Sequence, residues 1–197
     1  MGIVERRERI KKRVKADILS KAREIARNEG WSAVSIRKIA ELIEYSPPIV
    51  YEYFENKDKL LETIRQEGFA HLKNEFTKVS KVYQNPEKQL IEVSKCIWQF
   101  SVDQYEVFQV MFNLEGAYCQ SRQVYTDEMN IQGNPVWDMI AKLRPKSAEA
   151  VSKTYYEWWC FTYGFICLTI TTQPRHAVHQ AEPLYMEGVR RFIRSIM

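Results

Sequence analysis

Residues 35–61 read SIRKIAELIEYSPPIVYEYFENKDKLL. Ser35 is a good N-cap, and Ile36, Ile39, Ala40 and Ile43 behind it recur at helical spacing. The pattern breaks at Glu44–Tyr45, and Ser46 opens a second capped segment. Pro47 and Pro48 fall on its first two helical positions, where N–H groups have no intrahelical partner and their loss costs little. The double proline therefore starts this helix, which the pattern carries to near Phe54. Asn56 then caps another helix, with Asp58 in its positive first turn.

Upstream, Ile18, Ala22, Ile25 and Ala26 predict a helix over 10–29, closed by Gly30. Three helices in about sixty residues, the second and third short and joined by a tight turn, make a helix-turn-helix head. Its second short helix is the one that enters a DNA major groove, N-terminal residues first. Charge agrees. Residues 1–60 hold 14 Lys/Arg and 10 Asp/Glu, so the whole net charge of +4 lies in this third of the chain. Residues 5–15, ERRERIKKRVK, carry seven bases and two acids. A basic end on a neutral remainder fits a polyanionic partner. This run either reaches into an adjacent minor groove as an arm or simply extends the first helix.

Downstream the pattern predicts helices over 57–82, 86–103, 105–112, 134–143, 147–171 and 184–196. Residues 113–133 are ambiguous, and QPRHAVHQAEP (173–183) reads as a loop. With only seven Gly and seven Pro, the chain is expected to be all-α: a three-helix head over 1–56 and a helical ligand-binding and dimerisation body over 57–197, about nine helices together. The longest apolar stretch, WWCFTYGFICLTI (158–170), is too short to span a bilayer and reads as a buried helix. The charged N-terminus is no signal peptide. Cys96, Cys119, Cys160 and Cys167 form no CxxC pair and read as reduced core thiols of a cytoplasmic protein. His176 and His179 lack a third ligand, and no nucleophile–base set, phosphate loop or acid pair stands out. Neither an enzyme nor a cofactor or metal is expected.

The stretch 35–61 resembles the DNA-binding signature of TetR/AcrR-type transcriptional regulators, through Ser35, Ile39–Ala40, Ser46, Tyr51, Tyr53–Phe54, Lys57 and Leu60–Leu61, with Gly30–Trp31 before them. It departs from that signature at Glu44, where such proteins usually have glycine; a positive φ there costs a glutamate about 1 kcal/mol. The resemblance implies a dimeric, ligand-responsive regulator bound to a palindromic double-stranded operator, a repressor released by a small inducer. Ser35, Arg37, Lys38 and Lys57, at helix starts, are expected on phosphates, as are the hydroxyls of Tyr51 and Tyr53. Both tyrosines read equally as half-buried aromatics. Ser46 caps the reading helix, and Pro47, Pro48 and Ile49 suit thymine methyls.

The body is dense in aromatics. Trp98, Phe108, Phe112, Tyr118, Trp137, Tyr155, Trp159 and Tyr163, with Glu115, are the candidates to line an apolar inducer pocket, although most such rings must pack a core. WCFTYGFICL (159–168) resembles a Trp-x-x-x-His-Gly signature of some such regulators, with Tyr163 for His. Glu115 and Glu157 would suit a cationic lipophile or sit solvated. The stripe Leu184, Gly188, Val189, Phe192, Ile193 and Ile196 either forms a homodimer interface, Gly188 admitting the partner helix, or packs within its own chain. An α-helical carrier or enzyme with an incidental basic head, or an activator of the same build, are the competing readings.

Overall fold

The computed structural model describes residues 2–114, 117, 134–143 and 147–197. Every regular element among them is helical: α1 (Ile3–Glu29), a 3-10 turn (Trp31–Ala33), α2 (Ile36–Leu42), α3 (Pro47–Tyr51), α4 (Lys57–Val82), α5 (Pro86–Asp103), α6 (Tyr105–Met111), α7 (Pro135–Leu143), α8 (Ala148–Thr172), α9 (Arg175–Val178), a second 3-10 turn (His179–Ala181) and α10 (Glu182–Ile196). The expectations on Glu115, Tyr118 and Cys119 lie outside the described residues.

Local chemistry starts and stops these helices. The side chains of Ser35, Asn85 and Ser147 accept the N–H of Lys38, Lys88 and Ala150. Asn56 Oδ1 does the same for Lys59 at 2.9 Å. Each such cap stabilises its helix by about 1 kcal/mol. α1 begins seven residues before the expected start, its end closed by Glu5, whose carboxylate accepts the Gly2 N–H at 3.1 Å. The expected loop 173–183 instead holds α9 and a 3-10 turn; Pro174 stands at the N-cap of α9 and Pro183 in the first turn of α10.

The chain forms two compact units. The first runs to Gly68 and takes in residues from Tyr105 onward that include α6. Ile18, Ala22 and Ile25 of α1, Trp31, Ile39, Val50, Phe54, Leu60 and Ile64 fill its core. α6 seats on α4 at Gly68, where an added methyl would overlap Met111 and Val107. The second unit comprises Phe69–Gln104 and Gln123–Met197. In it α5 packs on α7 and α10, and α7 on α8, burying Val93, Ile97, Trp98, Ile140, Trp158, Tyr185 and Val189.

Gly188 fits here differently from the sequence reading. A methyl on it would strike the Phe161 ring of the same unit, and that ring stacks on Tyr185 at 6.0 Å. The glycine thus admits Phe161, which belongs to its own chain. Gly188→Val is expected to lower stability by about 1–3 kcal/mol, because an overfilled core must shift backbone or rotamers. Gly164, around whose added methyl none of the described residues lies within 4 Å, should accept alanine with no such loss. Thermal melts of the two variants side by side check the contrast.

Candidate nucleic-acid interface

Joining α2 to α3 takes a sharp reversal, and the backbone supplies it at Glu44. Its φ is 60°, in the left-handed region, where the resemblance would put a glycine. The Tyr45 N–H reaches back to the Ala40 carbonyl at 2.9 Å and the Glu44 N–H to the Glu41 carbonyl at 3.2 Å. Together these bonds are a Schellman closure with glutamate in the glycine position. Asn113 closes α6 in the same way at φ 49°, the Leu114 N–H bonding the Gln109 carbonyl at 2.9 Å. Asparagine tolerates that conformation, whereas glutamate has only strain there. Glu44→Gly should raise stability by about 0.5–1 kcal/mol, the relieved strain being partly offset by the freer unfolded chain. A melting temperature at or below the parent's would refute that.

Ser46 stands at the N-cap of α3, but its hydroxyl caps nothing. Pro47 and Pro48 offer no N–H, and the next donor, the Ile49 N–H, bonds the Ser46 carbonyl at 3.0 Å. The hydroxyl is left exposed, as is Pro48; Pro47 and Ile49 are half-buried. α3 is short, yet helical bonds run on from Glu52 to Pro48 and from Phe54 to Val50, so the turn holds to Phe54. Val50 and Phe54 anchor it in the core. Tyr51 is half exposed and Tyr53 half-buried.

Two of the expected phosphate ligands are engaged within the protein. The Lys38 ammonium pairs with Glu29 at 2.6 Å. Lys57 donates to the Trp31 carbonyl, and burial lowers its amine against the opposing pull of Asp58. Two N–H donors of Lys57 remain for another acceptor. Ser35 and Arg37 are exposed, Ser35 with its hydroxyl accepting from Lys38 N.

Sequence reading missed Glu106. Its carboxylate is buried and accepts from Arg27 at 2.6 Å, while its carbonyl accepts the Trp31 indole N–H at 2.8 Å. The bond from Arg27 to the Glu106 carboxylate, and then the charge of that carboxylate, raise the guanidinium above its ordinary value. Glu106 lies 75 residues from Trp31, and no local pattern marks it.

The expected pocket residues do not gather in one unit. Phe108 and Phe112 are buried in the first; Trp98, Trp137, Tyr155, Trp159 and Tyr163 belong to the second. In the second, Trp98 stacks on Tyr185 at 5.1 Å and Trp159 on Tyr163 at 5.9 Å. The Trp158 N–H donates to Ser94 Oγ at 3.0 Å, and Asn134 to the Tyr155 hydroxyl at 3.1 Å. Burial pushes the Tyr155 phenol up to about 12. Trp98 Nε1 is buried with no hydrogen-bond partner among the described residues. Glu157 is exposed.

The interface stripe also needs correction. Val189, Ile193 and Ile196 are buried in their own chain and Phe192 half-buried, because α10 packs on α5 and α8; of the six, Leu184 alone is well exposed. The long apolar α8 is in turn less buried than expected. Tyr156, Cys160 and Leu168 are exposed along one side, with Gly164 open between them. Cys160 is thus no core thiol. Cys96 and Cys167 are half-buried, and burial raises both.

Residues 18–64 match the family model for bacterial regulatory proteins, tetR family. No curated protein matches the chain. Among solved structures, it is similar to a TetR-family transcriptional regulator from Bordetella parapertussis 12822 (18% identity, 93% of this chain and 94% of that one, TM-score 0.65). It is also similar to the TetR family transcriptional regulator PfmR from Thermus thermophilus (15% identity, 91% and 96%, TM-score 0.60). A protein of unknown function from Rhodococcus sp. RHA1 shares the fold (15% identity, 92% and 94%, TM-score 0.66). Among the described residues no helix is long and apolar enough to cross a membrane.

Proposed function

We propose that the chain is a tetR-family, DNA-binding transcriptional regulator and works as a homodimeric repressor, released from a palindromic operator by a small apolar or aromatic inducer. The observation that carries the DNA-binding part is the α2–α3 pair: a Schellman turn leads into a proline-started helix whose inner side is pinned by Val50 and Phe54. Such a helix offers its leading residues to a major groove. Pro47, Pro48 and Ile49 carry no donor for a base edge, so their contribution is contact with thymine methyls. Ser46, Tyr51, Tyr53, Arg37 and the remaining donors of Lys57 fix the register on phosphates. Pro48→Ala is expected to change sequence preference more than overall affinity, read from binding to a panel of single-base operator variants. A uniform loss across the panel would speak against base contact.

The inducer reading rests on the aromatic interior of the second unit. Trp98 brings to it a stacked face and a donor without a partner among the described residues. A ligand shifts DNA affinity only by its differential affinity for two states of the protein. α4, one unbroken helix from Lys57 to Val82, is the element through which such states would differ at the head. The dimer reading rests on the exposed side of α8, with Leu184 of α10. A two-fold pair sets its reading helices about 34–36 Å apart, hence a palindrome. Gel-shift titration with the DNA upstream of the gene, at moderate salt, tests the whole reading. A specific shift, lost on adding inducer, is the expected result, and no specific binding would overturn it.

A further inference from the structure

Residues 3–13 form the outer three turns of α1, and none of the side chains from Val4 to Arg13 is buried; Val4 is 74% and Ile10 49% exposed. A helix polar on nearly all sides gains nothing from packing. Its charges give it little net support, since the favourable spacings Glu5–Arg9 and Glu8–Lys12 are opposed by repulsive ones. Arg7 and Lys11, Arg9 and Arg13, and Lys11 and Lys15 stand four apart, and like pairs at that spacing destabilise a helix by a few tenths of a kcal/mol each. Among the described residues the only base of this run with an ion-pair partner is Arg13, with Asp17 at 3.9 Å. Helical periodicity gathers Arg6, Arg9, Lys12 and Arg13 in an arc of about 120° opposite the buried seam of Val14 and Ile18. Glu5, the acid on that face, is turned onto the Gly2 N–H. At the inner end of the run, Lys15 lies over the ring of Phe54, 5.7 Å from its centroid, so the basic turns spring from beside the end of the reading helix.

Resting on the DNA-binding reading, we propose that residues 3–13 are a second DNA contact: a rigid basic helix that lies along duplex phosphates beyond the reach of α3. The minor groove is excluded for it, since an α-helix is about 10–12 Å across and that groove about 6 Å wide. The outer turns are about 16 Å long, enough to follow roughly five base pairs of backbone. Contacts of this kind add affinity and salt dependence but no sequence information.

The test replaces Arg6, Arg9, Lys12 and Arg13 together by alanine, which keeps the helix. A control removes the same charge elsewhere, at the exposed Lys81, Lys142, Lys153 and Arg194. Binding to a long and a short random-sequence duplex, and to the upstream DNA, is titrated across salt concentrations. The expected result is a slope of log K on log salt shallower by about 2–4 per protomer on the long duplexes for the arm variant alone. Sequence preference is unchanged, and the footprint loses its outer base pairs. An unchanged slope, an equal loss in the control, or loss of binding to anionic phospholipid vesicles with DNA binding intact would each overturn the proposal. If the parent protein binds none of the duplexes, it is the DNA-binding reading that fails.

Discussion

Trp31→Ala is expected to remove most of the stability of the first compact unit. The indole is 2% exposed in a core built from α1, α2 and the start of α4. Truncating a buried tryptophan costs about 3–5 kcal/mol, against a total of about 5–15 for a typical domain. The same residue makes two longer ties. Its N–H bonds the Glu106 carbonyl at 2.8 Å, and its own carbonyl receives Lys57. Losing the N–H removes this tie to α6, so Trp31→Phe, which keeps a ring but no donor, should fall between parent and alanine. Thermal melts followed by circular dichroism, with operator titration below the transition, separate packing from hydrogen bonding. If Trp31→Phe melts with the parent while Trp31→Ala does not, the hydrogen bond to α6 contributes nothing. If both match the parent, Trp31 is not the centre of that core.

What the sequence discloses and what it hides divide along a physical line. Ser35, Asn56, Asn85 and Ser147 act on N–H groups three residues away, and that reach is visible in a one-dimensional pattern. Glu44 was singled out by resemblance alone, as the place where such regulators usually have glycine, and the backbone there has a φ of 60°. Glu106 was not, because what gives it meaning is Trp31 and Arg27, more than seventy residues upstream. The start of α1 stayed open between an arm and a longer helix, because a mostly basic run without an apolar stripe carries no helical signature. The apolar stripe of α10 was real, but a stripe does not name its partner. Gly188 serves Phe161 of its own chain, and the open glycine is Gly164.

That last reassignment sets the second large effect. Leu168 is 67% exposed on α8, on the same side as Tyr156, Cys160 and Gly164. In a two-fold dimer built on this side, each substitution occurs twice and faces its own copy's surroundings. Leu168→Glu would desolvate two carboxylates with no cation assigned to them. Even at about 2 kcal/mol per protomer, well under the full cost of burying an ion, dimer dissociation should rise roughly 10³-fold. Leu168→Met, similar in volume and uncharged, should leave it nearly unchanged. Sedimentation equilibrium measures both, and the operator supplies a second readout. A monomer engages one half-site, so a palindromic duplex should lose its advantage over a single half-site for Leu168→Glu and keep it for Leu168→Met. Since the substituted side chain points to solvent in the protomer, the thermal stability of the isolated chain is expected to hold. That separates a lost interface from a lost fold. A Leu168→Glu protein that stays dimeric would move the interface off this side of α8. With Val189, Ile193 and Ile196 already buried in their own chain, the exposed end of α10 around Leu184 would be the next surface to test.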